Sequence, residues 1–291
     1  MPILLFGVPA TNFTLYHRAG FLCGDPVAFV SAEDENGSAS SALILRDIEL
    51  DRARQVARTD ACFCPRDLVP AGELSGDRAT ATAQAAAHWL RARGVRRVLG
   101  DPTLPLLAIE ACRALGVEVA LAPDLGVIQR RVKSEAEIAH LRQAQAFTEE
   151  AMRMAGGLIL GASAAADGTL MHGGSPLTAE RVRGEIAVFC ARGGYTDSGG
   201  AIVAQGDRAA DCHDAGGGVL KTGLPVIVDI FPRNQTTLYC GDCTRTVCHG
   251  TIPPLAAHMH AAVLAAKRAA EAELCPGSTG KRVHAATVAA L

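Results

Sequence analysis

Two aspartates sit where β pairing would bring their carboxylates together. Asp229 interrupts the apolar run Val226-Ile227-Val228-Asp229-Ile230-Phe231, and Asp242 opens the next β-type run, Tyr239-Cys240-Gly241-Asp242-Cys243-Thr244-Arg245-Thr246. A carboxylate buried without a partner in such a run carries a large desolvation cost. If the two runs form a hairpin, both side chains face one pocket, and two like charges at close range require a cation between them. Oxygen donors of this kind suit Mn, Co, Zn or Mg. Taken singly, either aspartate also reads as an ordinary turn or capping residue.

Three further features compete for a chemical role. His213, in Ala210-Asp211-Cys212-His213-Asp214, lies between the run Gly200-Ala201-Ile202-Val203-Ala204 and the glycines 216–218; on residue type alone it is a loop histidine or a functional one. The glycines lack the Lys-Ser/Thr ending of a phosphate loop and read as a turn. Cys240-x-x-Cys243 has the spacing of half a zinc ribbon, yet no second such pair exists. Neighbouring strand positions also point to opposite faces, so these cysteines read as buried thiols flanking Asp242.

The elements that must position these groups fall into two sets. The chain has 291 residues, 49% apolar and 20% charged with a formal net charge of -2, which suits a folded two-domain protein and gives no basis for a nucleic-acid or anionic-membrane partner. The basic cluster from Arg91 to Arg97 has no interleaved aromatics and reads as a solvated helix end. The opening run from Pro2 to Val8 lacks the basic start of a signal peptide and reads as a strand. No apolar run reaches the roughly 20 residues that span a bilayer, so a cytoplasmic location is expected, with most of the ten cysteines reduced and buried.

Residues 1–125 alternate short strands (27–30, 42–45, 98–100, 117–121) with helices (51–58, 80–93, 107–115), the rhythm of an α/β domain. The pattern breaks over 126–133, expected as a linker. Ser134 and Glu137 then form a capping box for a helix closed by Gly156-Gly157. A loop over 161–175, a Thr178-capped helix ending at Gly193-Gly194, strands at 201–204, 225–231, 237–240 and 244–248, and helices over 254–273 and 280–291 complete an α+β domain, 134–291.

Several segments, in order, resemble the creatinase and Xaa-Pro aminopeptidase family, the M24 metallopeptidases of the pita-bread fold. Tyr16-His17-Arg18-Ala19-Gly20-Phe21 is similar to the family's Tyr-x-x-Gly-Phe signature with one extra residue. Arg131-Val132-Lys133-Ser134-Glu135-Ala136-Glu137-Ile138 is similar to the start of its catalytic domain, and Asp229 and Asp242 resemble its paired metal-binding aspartates in a branch with a longer Asp-Ile-Phe-Pro-Arg hairpin. The resemblance implies a creatinase-like N-terminal α/β domain followed by a partial pita-bread α+β domain. It also implies two divalent ions (Mn, Co or Zn) with Asp229 and Asp242 as metal ligands, and His213 as a catalytic residue that hydrogen-bonds substrate or the tetrahedral intermediate.

The implied substrate is a peptide, cleaved ahead of proline, and a homodimer through the N-terminal domain is a family expectation. The family's remaining ligands, a histidine and two glutamates, lie beyond its second aspartate. Here no His-Gly-x-Gly segment follows, and Glu271 and Glu273 fall in an Ala-rich helix. The expectation is therefore a chain truncated at its C-terminus and inactive alone, whose full-length form is the hydrolase. The alternatives are a non-catalytic peptide- or protein-binding pseudoenzyme, or a creatinase-like amidinohydrolase.

Overall fold

The structure is a computed structural model that describes residues 1–33, 39–197 and 199–291. The chain divides into two compact units, Met1–Lys133 and Ser134–Leu291.

The first unit is a six-stranded mixed sheet, order β4-β3-β2-β1-β5-β6, from β1 (Ile3–Gly7), β2 (Val27–Glu33), β3 (Ala39–Ile44), β4 (Ala61–Phe63), β5 (Arg97–Gly100) and β6 (Glu118–Leu121). Its strands are apolar on both faces because both faces are covered. Leu4, Phe6, Val30 and Ile44 pack toward α3 (Arg78–Ala92) and α4 (Leu106–Ala114), whose Ala83, Ala86, Trp89 and Cys112 share their core. Leu5, Phe29, Leu43 and Leu45 pack toward α1 (Phe13–Ala19) and α2 (Leu50–Val56) through Leu15, Ala19 and Ala53. The Tyr16–Phe21 signature is the end of α1: Gly20 caps it, with its N–H donating to the Tyr16 carbonyl at 2.8 Å, and Phe21 is buried. The segment 126–133 is not a free connector. It holds a short helix, α5 (Val127–Arg131), and the Arg130 guanidinium donates to the Thr14 hydroxyl, fastening it to this unit.

The second unit opens with α6 (Glu135–Leu160), started by the reciprocal Ser134–Glu137 capping box. Gly156-Gly157 does not end α6. An interior glycine costs only about 1 kcal/mol, and Gly156 lies against the sheet, where an added β-carbon would already be 3.8 Å from the Val247 side chain. The segment 161–175 is likewise more than a loop. It forms most of a small meander of β7 (Ser163–Ala164), β8 (Leu170–His172) and β9 (Ser175–Pro176), turned by Asp167-Gly168 and Gly173-Gly174, where positive φ allows tight reversals. Next come α7 (Ala179–Arg192), capped by Thr178, and β10 (Tyr195–Thr196), which pairs with β13 (Arg233–Asn234). An antiparallel sheet then orders β11 (Ile202–Gln205), β12 (Pro225–Ile230) and β14 (Cys243–Cys248), and α8 (Pro254–Ala272) and α9 (Gly280–Ala290) follow. Among the described residues no helix is long and apolar enough to cross a membrane.

Two chemical consequences follow from this packing. Burial pushes the thiols of Cys112 and Cys190 up to about 11, whereas Cys212 and Cys275 are exposed. In native protein at pH 8 a thiol reagent is expected to modify Cys212 and Cys275 first and to reach Cys112 and Cys190 only on unfolding, as peptide mapping of the labelled sites would show.

The meander turn also carries a pH signature. Asp167 accepts the Thr169 N–H at 3.0 Å, then the Thr169 hydroxyl at 2.8 Å and Lys221 Nζ at 3.0 Å, and these bonds hold its carboxyl well below the usual carboxylate range. Because the folded state favours the ionised form, this contribution is complete above about pH 4 and is lost as pH falls through the folded value. Urea midpoints of the protein and Asp167→Asn are therefore expected to differ at pH 7 and to converge on acidification below that range.

Candidate metal centre

The site begins with the burial pattern of β12. Val226, Val228 and Ile230 are fully buried in the core shared with Ala151, Met152 and Ala155 of α6, while Ile227 and Asp229 point to the opposite face and are half-buried. The strand is thus covered on one side, and Asp229 stands on the other.

Register brings the second carboxylate to the same face. Asp229 pairs with Thr244 and Ile230 with Cys243. The alignment continues beyond the ladder: the Gly241 N–H donates to the Pro232 carbonyl at 3.2 Å, Cys240 bridges Arg233, and the Asn234 N–H donates to the Tyr239 carbonyl at 2.9 Å. Asp242 therefore stands across from Phe231, one diagonal step from the Asp229–Thr244 pair. The expected strand at 237–240 is instead the hairpin tip. The Asn234 carboxamide oxygen accepts the N–H groups of Thr236 and Thr237, both at 2.9 Å, and Leu238 takes φ +61°, so the chain reverses there.

The tip is held to α6 at two points. The Tyr239 hydroxyl donates at 3.0 Å to Glu137 Oε1, while Glu137 Oε2 accepts from the capping Ser134. The Asp242 N–H donates to Gln145 Oε1 at 3.1 Å, fixing the backbone from which the carboxylate extends.

The donor set fits a hard divalent cation. Asp229 Oδ1 accepts one bond, from the Thr244 hydroxyl at 2.6 Å, and Asp242 is exposed. Among the described residues neither carboxylate is in an ion pair, although the same register places Arg233, across from Cys240, on this face. The Cys243 thiol lies on the covered face; burial, first, raises it, Arg245 opposes, and the charges of Glu149, Asp242 and Asp229 raise it further. The pair offers two carboxylate oxygen donors, and no third His, Cys, Asp or Glu converges with them among the described residues.

The other sequence candidates are placed differently. His213 is exposed, and the group its ring joins is Asp211 and Cys212, without Asp229 or Asp242. Cys243 is buried as expected, but Cys240 is exposed because it lies at the hairpin tip, past the last ladder pair. Sequence reasoning passed over Thr244 and Gln145, which orient the two aspartates. Thr244 was legible as the residue two after Asp242 on the same face, but Gln145 lies 97 positions away and gave no signal.

The model of metallopeptidase family M24 matches residues 139–291. No curated protein matches the chain by sequence. Among solved structures, an Xaa-Pro dipeptidase from Bacillus anthracis is similar with a TM-score of 0.78 at 20% identity, over 99% of this chain and 72% of that one. An X-Pro aminopeptidase from Thermotoga maritima is similar with a TM-score of 0.76 at 18% identity, over 99% and 74%. A dipeptidase from Mycobacterium ulcerans is similar with a TM-score of 0.72 at 23% identity, over 100% and 71%. At these identities the likeness is one of fold, an N-terminal α/β domain followed by the α+β architecture of the pita-bread proteins.

Proposed function

The chain belongs to metallopeptidase family M24, and from that premise we propose that its site serves metal-dependent hydrolysis of peptide bonds, at Xaa-Pro in particular, with Asp229 and Asp242 as metal ligands. The observation that carries this reading is the hairpin register that puts both carboxylates on one face, where among the described residues neither is in an ion pair. A divalent ion held there, Mn, Co or Zn, would supply a Lewis acid for the scissile carbonyl and an activated water.

The chain's own groups prepare that role. The Thr244 hydroxyl leaves Asp229 Oδ2 free to ligate, and the bond from its backbone to Gln145 aims Asp242 from a fixed strand end. Support of this kind around ligands typically matters by 10-fold or more in affinity, as an order of magnitude. His213 is assigned to hydrogen-bond substrate, a role supported by family likeness.

The test is metal binding. Mn2+ added to the 291-residue chain is expected to lose its free-ion paramagnetic resonance signal, and Asp229→Asn together with Asp242→Asn is expected to restore it. Undiminished binding by the double variant would end this assignment. With two of the family's ligands on this face, the 291-residue polypeptide by itself is expected to release no N-terminal residue from an Xaa-Pro peptide. Steady Mn2+-dependent release would overturn that ligand count.

A further inference from the structure

The loop before the glycines 216–218 carries a second donor set, of different chemistry. Asp211, Cys212 and His213 are all exposed, and one ligand atom from each lies within 4.8 Å of the others. Cys212 Sγ is 3.9 Å from His213 Nδ1. With metal–sulfur and metal–nitrogen bonds of about 2.3 and 2.0–2.1 Å, a tetrahedral site has an S···N edge of roughly 3.6 Å, so the two atoms need to close by only a few tenths of an ångström. Asp211 Oδ1 accepts the His213 N–H at 2.9 Å, which fixes the carboxylate and leaves Oδ2 open.

The loop is also held in shape from outside the donor set. Arg208 and Asp214 bracket the three residues: Arg208 Nε donates to Asp214 Oδ2 at 2.8 Å and Nη2 to Oδ1 at 2.5 Å. Asp214 Oδ1 accepts the Gly216 N–H as well, and Arg183 donates to the carbonyls of Ala215 and Gly216. A two-point ion pair across so short a loop removes much of the ordering that a ligand would otherwise have to impose.

We propose that Asp211, Cys212 and His213 form a thiolate-containing site for a borderline divalent ion of the zinc class, which shares no ligand with the Asp229–Asp242 pair. Sulfur and imidazole donors select such ions over Mn2+ or Mg2+, which favour all-oxygen sites. One carboxylate and one thiolate neutralise the dication, and the fourth position is left to water. As the metal–sulfur bond forms, the Cys212 S–H bond breaks and its proton passes to the buffer. Coordination through Nδ1 places the imidazole proton on Nε2, which remains a hydrogen-bond donor.

Co2+ added to the full chain tests this, because a thiolate ligand gives a near-ultraviolet sulfur-to-cobalt charge-transfer band that oxygen ligands cannot. The expected result is a band that is displaced by Zn2+, is unaffected by Mn2+, survives Asp229→Asn with Asp242→Asn, and in that double variant saturates at one Co2+ per chain. Cys212→Ser should abolish the band, and His213→Ala and Arg208→Gln should each weaken Co2+ binding by about tenfold or more. All three residues are at the surface, and unchanged melting of the Cys212 and His213 variants would show that folding is intact. No band in the native chain, or a band that persists in Cys212→Ser and so arises from Cys240 or Cys275, would overturn the proposal.

Discussion

Gly216→Ala is expected to destabilise the second unit by about 3–5 kcal/mol, through backbone that cannot move aside. A β-carbon there would lie 1.7 Å from the Val203 carbonyl oxygen and 2.5 Å from its carbon, and Val203 is a fully buried residue of β11. The Val203 N–H is itself bonded to the Ala215 carbonyl at 3.1 Å, so loop and strand are locked at this point. The φ of +79° adds a conformational cost of about 1 kcal/mol for any residue with a side chain. Gly218→Ala is the control: its φ is +80°, but an added β-carbon meets nothing within 4 Å, so it should lose only the conformational part. Urea unfolding of the two variants measures the difference. Equal losses would show that the chain accommodates the contact with β11.

Gly241→Ala is expected to cost about 2–4 kcal/mol and to weaken Mn2+ binding, because it acts on the turn that presents Asp242. Its β-carbon would fall 2.1 Å from Thr148 Oγ1 and 2.6 Å from the Ala144 carbonyl oxygen. Neither neighbour can withdraw. Thr148 is fully buried and its hydroxyl donates to that same carbonyl at 2.8 Å, which is part of α6. The hairpin must therefore lift from the helix, straining the bond between the Asp242 N–H and Gln145. Thr148→Ala in the same chain removes one obstacle and leaves the carbonyl, so it should recover only part of the loss. Thermal melts together with Mn2+ titration would show whether stability and metal affinity fall together. A stable Gly241→Ala protein with native affinity would show that this close approach does not position Asp242.

Features written in short stretches of sequence were legible without a fold. Ser134 and Glu137 define the start of α6, Thr178 the start of α7, and the apolar run around Asp229 the strand β12, because caps and local periodicity depend on neighbours three or four positions away. The reversals were less legible. The tip at 235–238 depends on one Asn234 side chain, and the meander over 163–176 on turns flanked by strands of only two or three residues, too short for periodicity to show. Gly156-Gly157 misled for a related reason: glycine marks a helix end or a close helix–sheet contact equally well, and the sheet decides which.

Residue types alone established that Asp229 and Asp242 are carboxylates in successive β-type runs, and that His213 sits beside an aspartate and a cysteine. Whether the two aspartates share a face depends on pairing register, since a slip of one residue would turn Asp242 toward α6. That register is held by contacts distant in sequence, Tyr239 on Glu137 and Gly241 against Ala144 and Thr148. The site is therefore decided by tertiary packing, because the direction of a side chain on a strand is known only once its partner strand is in place.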